Sequence, residues 1–115
     1  MPDFKKLQDF SIQLKRDSLR MTNSVSSGHP GGSLGCSEFF SVLFNEIMAI
    51  KPNPFKMEGH EEELFVLSNG HISPVLYATL ARVGYFPQKE LNTFRKIDSR
   101  LQGHPATYED LPGVR

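Results

Sequence analysis

From Phe4 onward, apolar residues recur at Leu7, Phe10, Leu14, Met21 and Val25, with lysines and arginines between them. That stripe predicts a long amphipathic helix over about residues 4–25. Asp3 is its expected N-cap, and Ser26-Ser27-Gly28 its stop. After a glycine-rich stretch, CSEFFSVLFNEIMAI places Phe39, Phe40, Leu43, Phe44, Ile47 and Met48 on an arc wider than a surface helix needs. The run is too long for a strand and predicts a mostly buried helix. Lys51-Pro52-Asn53-Pro54 ends it, because each proline pushes its predecessor out of the α region.

A polar loop to Glu63 then gives way to LFVLS, Leu64 to Ser68. This short apolar run, with charge before it and Asn-Gly after it, predicts a strand. Its unbroken hydrophobicity predicts burial on both faces, as in a parallel sheet. HISPVLYATLARVGYF predicts a helix starting near His71 to Ser73, since Pro74 fits only in a first turn. Leu76, Leu80 and Val83 continue its stripe, and Gly84 ends it. Pro87 opens a short helix to about Phe94 or Lys96, and residues 100–115 read as loop. The order is helix, helix, strand, helix, helix. The fold class expected is α/β but incomplete, with about four helices and one strand that has no partner within the 115 residues.

Composition narrows the function classes. Lys plus Arg (13) balance Asp plus Glu (13), so no basic excess points to nucleic acid and no acidic run to a solvating tail. Lys5, Lys6, Lys15, Arg16 and Arg20 on the first helix, and Glu58 with Glu61 to Glu63, read as solvated faces. The single cysteine, Cys36, excludes an internal disulfide and reads as a buried, inert thiol. MPDFKKLQDF has no apolar leader core and no stretch approaches 18 apolar residues, so the expected location is cytoplasmic and off the membrane.

All four histidines, His29, His60, His71 and His104, directly follow a glycine. Chance would give about 0.3 such pairs at this composition. Glycine before an imidazole permits close approach or positive φ. Proline after it, at Pro30 and Pro105, fixes the exit of the chain. His29, in SSGHPGGSLG, is the strongest candidate, against a plain capping or turn role. His71 falls where the expected strand meets the next helix, a place that suits anionic oxygens. His104 lies in the polar loop RLQGHP, and His60, among carboxylates in MEGHEEE, reads as a surface residue. The histidine spacings match no zinc template. No dinucleotide, Walker or nucleophile-elbow motif occurs.

Taken together, SGHPGGSLG, LFVLSNGHISPVLYATLARVGYF, ELNTFRKIDSRLQGHP and LPGVR resemble transketolase. The likeness runs from the first helix to the last residue. The LSNGH and QGHP wording is closer to transketolase than to the related deoxyxylulose-phosphate synthases. Residues 1–115 would then be part of an N-terminal, diphosphate-binding domain of a parallel-sheet fold. The resemblance implies thiamine diphosphate with a divalent ion, magnesium or calcium. It also implies transfer of a two-carbon ketol unit from a ketose phosphate to an aldose phosphate. By matched position, His29 and His104 would be catalytic, near the donor's reacting carbon and its C1 hydroxyl, and His71 would contact the cofactor's diphosphate.

Two positions depart from the family pattern: Ser33 stands where many relatives carry proline, and Ala106 where an acidic residue often follows His-Pro. In the family, LPGVR leads into a glycine-rich cofactor loop and a Gly-Asp-Gly…Asn motif, and neither occurs here. The metal ligands, the pyrimidine-binding domain and the arginines for substrate phosphate are therefore expected outside this chain. Implied partners are sugar phosphates and the remainder of the enzyme or a C-terminal subunit, with a dimer in the complete enzyme. The chain alone is expected to be inactive. Two other classes fit the residues: a non-catalytic helical interaction module and a helical anion-binding domain.

Overall fold

The computed structural model describes residues 2–26 and 28–115. Its helices are α1 (Phe4–Ser24), α2 (Pro30–Val42) and α3 (Ser73–Arg82). A π-helical turn follows at Leu43–Ile47, and 3-10 turns occupy Gly70–Ile72, Gln88–Thr93 and Thr107–Glu109. Asp3 caps α1 as its sequence predicts, accepting from the Lys6 N–H at 3.1 Å. The α1 stripe buries Leu7, Leu14 and Met21, while Phe4 in the first turn stays exposed. Of the expected α1 stop, Ser27 lies outside the described residues.

α3 is the centre of the fold. Every residue from Ser73 to Ala81 is buried, and α1, α2 and the Gln88–Thr93 turn all pack on it. Its sequence predicts only a stripe, but a helix covered on several sides must be apolar or internally bonded all round. Tyr77, Phe40, Phe94, Leu14, Leu80, Leu101 and Leu111 fill the core. Each contributes about 1.5–3 kcal/mol by leaving water. Along α2, Ser33, Ser37 and Ser41 recur every fourth residue and are all buried. Small side chains there let α1 approach, and Ser41 Oγ donates across to Leu7 O at 2.8 Å.

Four expectations need correction. α2 starts at Pro30 rather than after the glycines, because proline suits the first helical position and His29 takes the N-cap. Its α-helical part ends at Val42, well before Pro52; Asn45 Nδ2 donates to Ser41 O at 2.8 Å and competes with the helical ladder for that carbonyl. The second helix is also less buried than its arc suggests, for Phe39, Val42 and Ile47 are exposed beside buried Phe40 and Phe44.

The fourth correction concerns LFVLS. Leu64 to Ser68 joins no ladder, and among the described residues there is no strand. Phe65 and Leu67 pack against the core, whereas Leu64 and Val66 are exposed. Burial on both faces does not hold, because the described residues cover only the side bearing Phe65 and Leu67. No ladder forms because strand hydrogen bonds need a neighbouring strand, which the described residues do not supply. The described fold is thus helix-rich. None of its helices is long and apolar enough to cross a membrane.

Two ion pairs tie distant segments together. Arg82 Nε and Nη2 donate to Asp17 Oδ2 and Oδ1 at 2.8 and 3.0 Å, fastening α3 to α1. Glu62 accepts from the Tyr85 hydroxyl at 2.6 Å, the Lys51 N–H at 3.1 Å and Arg115 Nη2 at 2.8 Å. Burial alone would raise the Glu62 carboxyl. The Tyr85, Lys51 and Arg115 donors outweigh it and hold the carboxyl below its ordinary value. A carboxyl lowered by folding stabilises the folded chain above its unfolded pKa and loses that contribution as pH falls through the folded one. Thermal stability should therefore drop as pH falls below the ordinary carboxyl value of about 4.5, and Glu62→Gln should flatten that slope relative to the parent. Equal slopes in both chains would exclude Glu62 as the source.

Candidate functional site

Gly28 opens the site. Its φ is +115°, a left-handed value that only glycine adopts cheaply, and it turns the chain from α1 toward α2. His29 then occupies the α2 N-cap position, yet its side chain makes no capping hydrogen bond. The plain capping role is thereby excluded, and the ring faces His71 instead, with centroids 5.2 Å apart.

His71 is delivered by a different element. Asn69 Oδ1 accepts from the His71 N–H at 3.2 Å, folding Asn69-Gly70-His71 into a tight turn that leads into α3. The start of α3 is held by Ser33, whose buried hydroxyl accepts from the Val75 N–H at 3.3 Å. The departure from proline at position 33 therefore has a local use: it closes one of the free N–H groups at a helix start.

His104 comes from the loop after Leu101. Its ring centroid lies 5.7 Å from that of His71. It also rests on Gly70, where an added Cβ would fall 1.9 Å from His104 Nδ1. Glycine at 70 is thus a requirement of close approach, as its place before an imidazole suggests, although the approaching group is another imidazole. Beside the loop, Arg95 has φ 60° and donates its N–H to Leu101 O at 2.7 Å. Its guanidinium packs over Gly103, where an added Cβ would lie 2.8 Å from Nη1.

The structure therefore brings together His29, His71 and His104, which are 42 and 33 positions apart in the chain, with His71 in the middle. All three rings are exposed, so the cluster is an open surface. His60 does not join it and stays exposed on a loop with Lys56, Glu58 and Glu61. Cys36 is half-buried and free. Among the described residues no group of three His, Cys, Asp or Glu side chains could hold a metal ion. Imidazoles can donate to anionic oxygens or pass a proton, so the cluster can bind an anion or act in proton transfer. Sequence reasoning missed the contacts of Ser33, Ser73 and Tyr77, because their partners lie 42, 30 and 25 positions away. It also missed that of Arg95, whose nearby partner is met only through a positive φ that no residue type there signals.

The chain matches known proteins in sequence and in fold. The family model described as transketolase, thiamine diphosphate binding domain, matches residues 11–115. Transketolase of Mus musculus is 39% identical over 98% of this chain, which covers 18% of that relative. Transketolase 2 of Escherichia coli (strain K12) is 35% identical over 85% of this chain and 14% of its own length. Among solved structures, transketolase from Pichia stipitis in complex with sedoheptulose 7-phosphate superposes with a TM-score of 0.85 at 30% identity, over 94% of this chain and 16% of that one. Transketolase from Leishmania mexicana gives the same TM-score and identity over 99% of this chain and 16% of its own. The chain thus spans less than a fifth of the length of these curated relatives.

Proposed function

The chain belongs to the transketolase family, within its thiamine diphosphate-binding domain, and on that premise we propose that it supplies the imidazole wall of a ketol-transfer site. The reaction is transfer of a two-carbon unit from a ketose phosphate to an aldose phosphate. The observation that carries this reading is the convergence of His29, His71 and His104 from three separate elements.

Thiamine diphosphate, when bound, supplies the electron sink for making and breaking the carbon–carbon bond. The residues of this chain bind, orient and move protons. His71, at the entrance to α3, donates an N–H to a diphosphate oxygen. His29 and His104 flank it and face the sugar, where an imidazole polarises a carbonyl, holds a hydroxyl, or gives a proton to a developing alkoxide. A divalent ion does not fit these residues, since no described cluster could ligate one. Magnesium or calcium would be held by other parts of the enzyme. The remainder of the enzyme, or a C-terminal subunit, would pair with Leu64 to Ser68 to complete the parallel sheet, and the complete enzyme would be a dimer. The 115 residues alone do not turn over, and the complete enzyme works in the cytoplasm on sugar phosphates.

The test compares two variants in the complete enzyme. His104→Ala should lower kcat by about 10²–10⁴, the usual worth of a positioned acid–base group, and leave cofactor affinity nearly unchanged. His71→Ala should weaken cofactor binding tenfold or more, about 1.4 kcal/mol. Parental kinetics and affinity in both variants, or ketol transfer by the 115-residue chain alone, would overturn the assignment.

A further inference from the structure

Ser73 and Tyr77 stand one turn apart on α3, with 1% and 0% of their surface exposed. Ser73 Oγ donates to Gly103 O at 2.8 Å, and Tyr77 Oη donates to Gln102 O at 2.6 Å. Those two carbonyls belong to the residues immediately before His104. We propose that Ser73 and Tyr77 are positioning residues: their hydroxyls clamp the chain at Gln102 and Gly103, and so hold the His104 imidazole against Gly70 at its distance from His71.

The argument is one of leverage. His104 is exposed, so its ring is placed by the backbone that carries it rather than by surrounding side chains. That backbone is in a loop, yet it is fixed to the most buried helix of the fold. The same helix is entered through the turn that carries His71. One element therefore sets both imidazoles, and the spacing between them is independent of movement elsewhere in the loop. Opposite Tyr77, Gln102 Nε2 donates to Lys96 O and Ser99 O at 2.9 and 2.7 Å, which steadies the loop from its other side. Burial, with the Glu109 charge adding to it, pushes the Tyr77 phenol well above its ordinary pKa, so the hydroxyl keeps its proton as donor.

This inference rests on the ketol-transfer reading for its meaning, but its test uses neither cofactor nor substrate. The isotope-labelled 115-residue chain is examined by nuclear Overhauser spectroscopy as parent, Ser73→Ala and Tyr77→Phe. Each substitution should remove at least half the intensity of the cross-peak between His104 Hε1 and Gly70 Hα, and of those between the His104 and His71 rings. The His29–His71 cross-peaks and helical circular dichroism should stay at parental level. Ser73→Thr, which keeps a hydroxyl, should restore the His104 peaks. If Tyr77→Phe fails to fold, the Ser73→Ala and Ser73→Thr pair decides alone. Unchanged His104 cross-peaks would overturn the proposal. So would loss of both ring pairs together, which is the mark of a merely structural role. A negative result here leaves the turnover test untouched, and a failed turnover test leaves these cross-peaks unexplained by it.

Discussion

Arg82→Ala should destabilise the chain by about 3 kcal/mol, the lower end of the cost of breaking a buried ion pair. The lower end applies because the Arg82 side chain is 24% exposed, while that of Asp17 is only 5% exposed. Removing the guanidinium strands a carboxylate that keeps a single donor, Gln13 Nε2 at 3.1 Å. The reverse change, Asp17→Ala, leaves a cation that can turn its head to water, so it should cost less, about 1–2 kcal/mol. Exchanging both for leucine removes the charge and the desolvation together and should be close to neutral. Urea unfolding followed by circular dichroism measures all three. Equal losses for the two single variants, or a double variant as unstable as Arg82→Ala, would show that burial does not set the asymmetry. The consequence reaches the site, because this pair ties α1 to the helix that bears His71 at its entrance.

What the sequence makes legible is local. The α1 stripe and the Asp3 cap describe a helix whose signals lie within a few residues of each other, and the structure places it at Phe4–Ser24. Pro74 and Gly84 likewise bracket α3 to within a residue or two. The α2 start shows the opposite case. Gly31, Gly32 and Gly35 weigh toward a loop by propensity, yet they lie inside the helix. At Gly32 an added Cβ would fall 2.7 Å from Ile72 Cγ2, so packing against a segment forty residues away requires the small residue that local propensity penalises. LFVLS carries a strand's composition, but a ladder is a property of two segments, and composition reports on one.

The candidate site divides in the same way. Each Gly-His pair is visible by itself, and glycine is required at 28 by a positive φ and at 70 by close approach. That three of the four imidazoles meet, and that His60 does not, follows from how α2, α3 and the loop after Leu101 pack. No spacing in the chain encodes it; only the resemblance to a family anticipates it. The hydrogen bonds from Ser73 and Tyr77 to the His104 loop span 30 and 25 positions. Both residues read in sequence as ordinary members of a helix.

Gly70→Ala should have a large effect on the site at a small cost to the fold. The added methyl would lie 1.9 Å from His104 Nδ1, 2.7 Å from Cε1 and 2.9 Å from Cγ, all atoms of one exposed side chain. Ordinary contact needs about 3.5–4 Å, so the ring must retreat by well over 1 Å. It can do so by swinging into water, without moving the turn beneath it, and stability should stay within about 0.5 kcal/mol of the parent. A displacement of 1 Å at a reacting group can cost about 10²-fold in rate. In the complete enzyme, kcat should therefore fall about 10²-fold while the melting temperature holds. Cofactor affinity should change little, because the His29–His71 contact does not involve the new methyl. A variant that melts several degrees lower would show that the turn, not the ring, gives way. One with parental kcat would show that the reaction does not depend on His104 lying where Gly70 lets it lie.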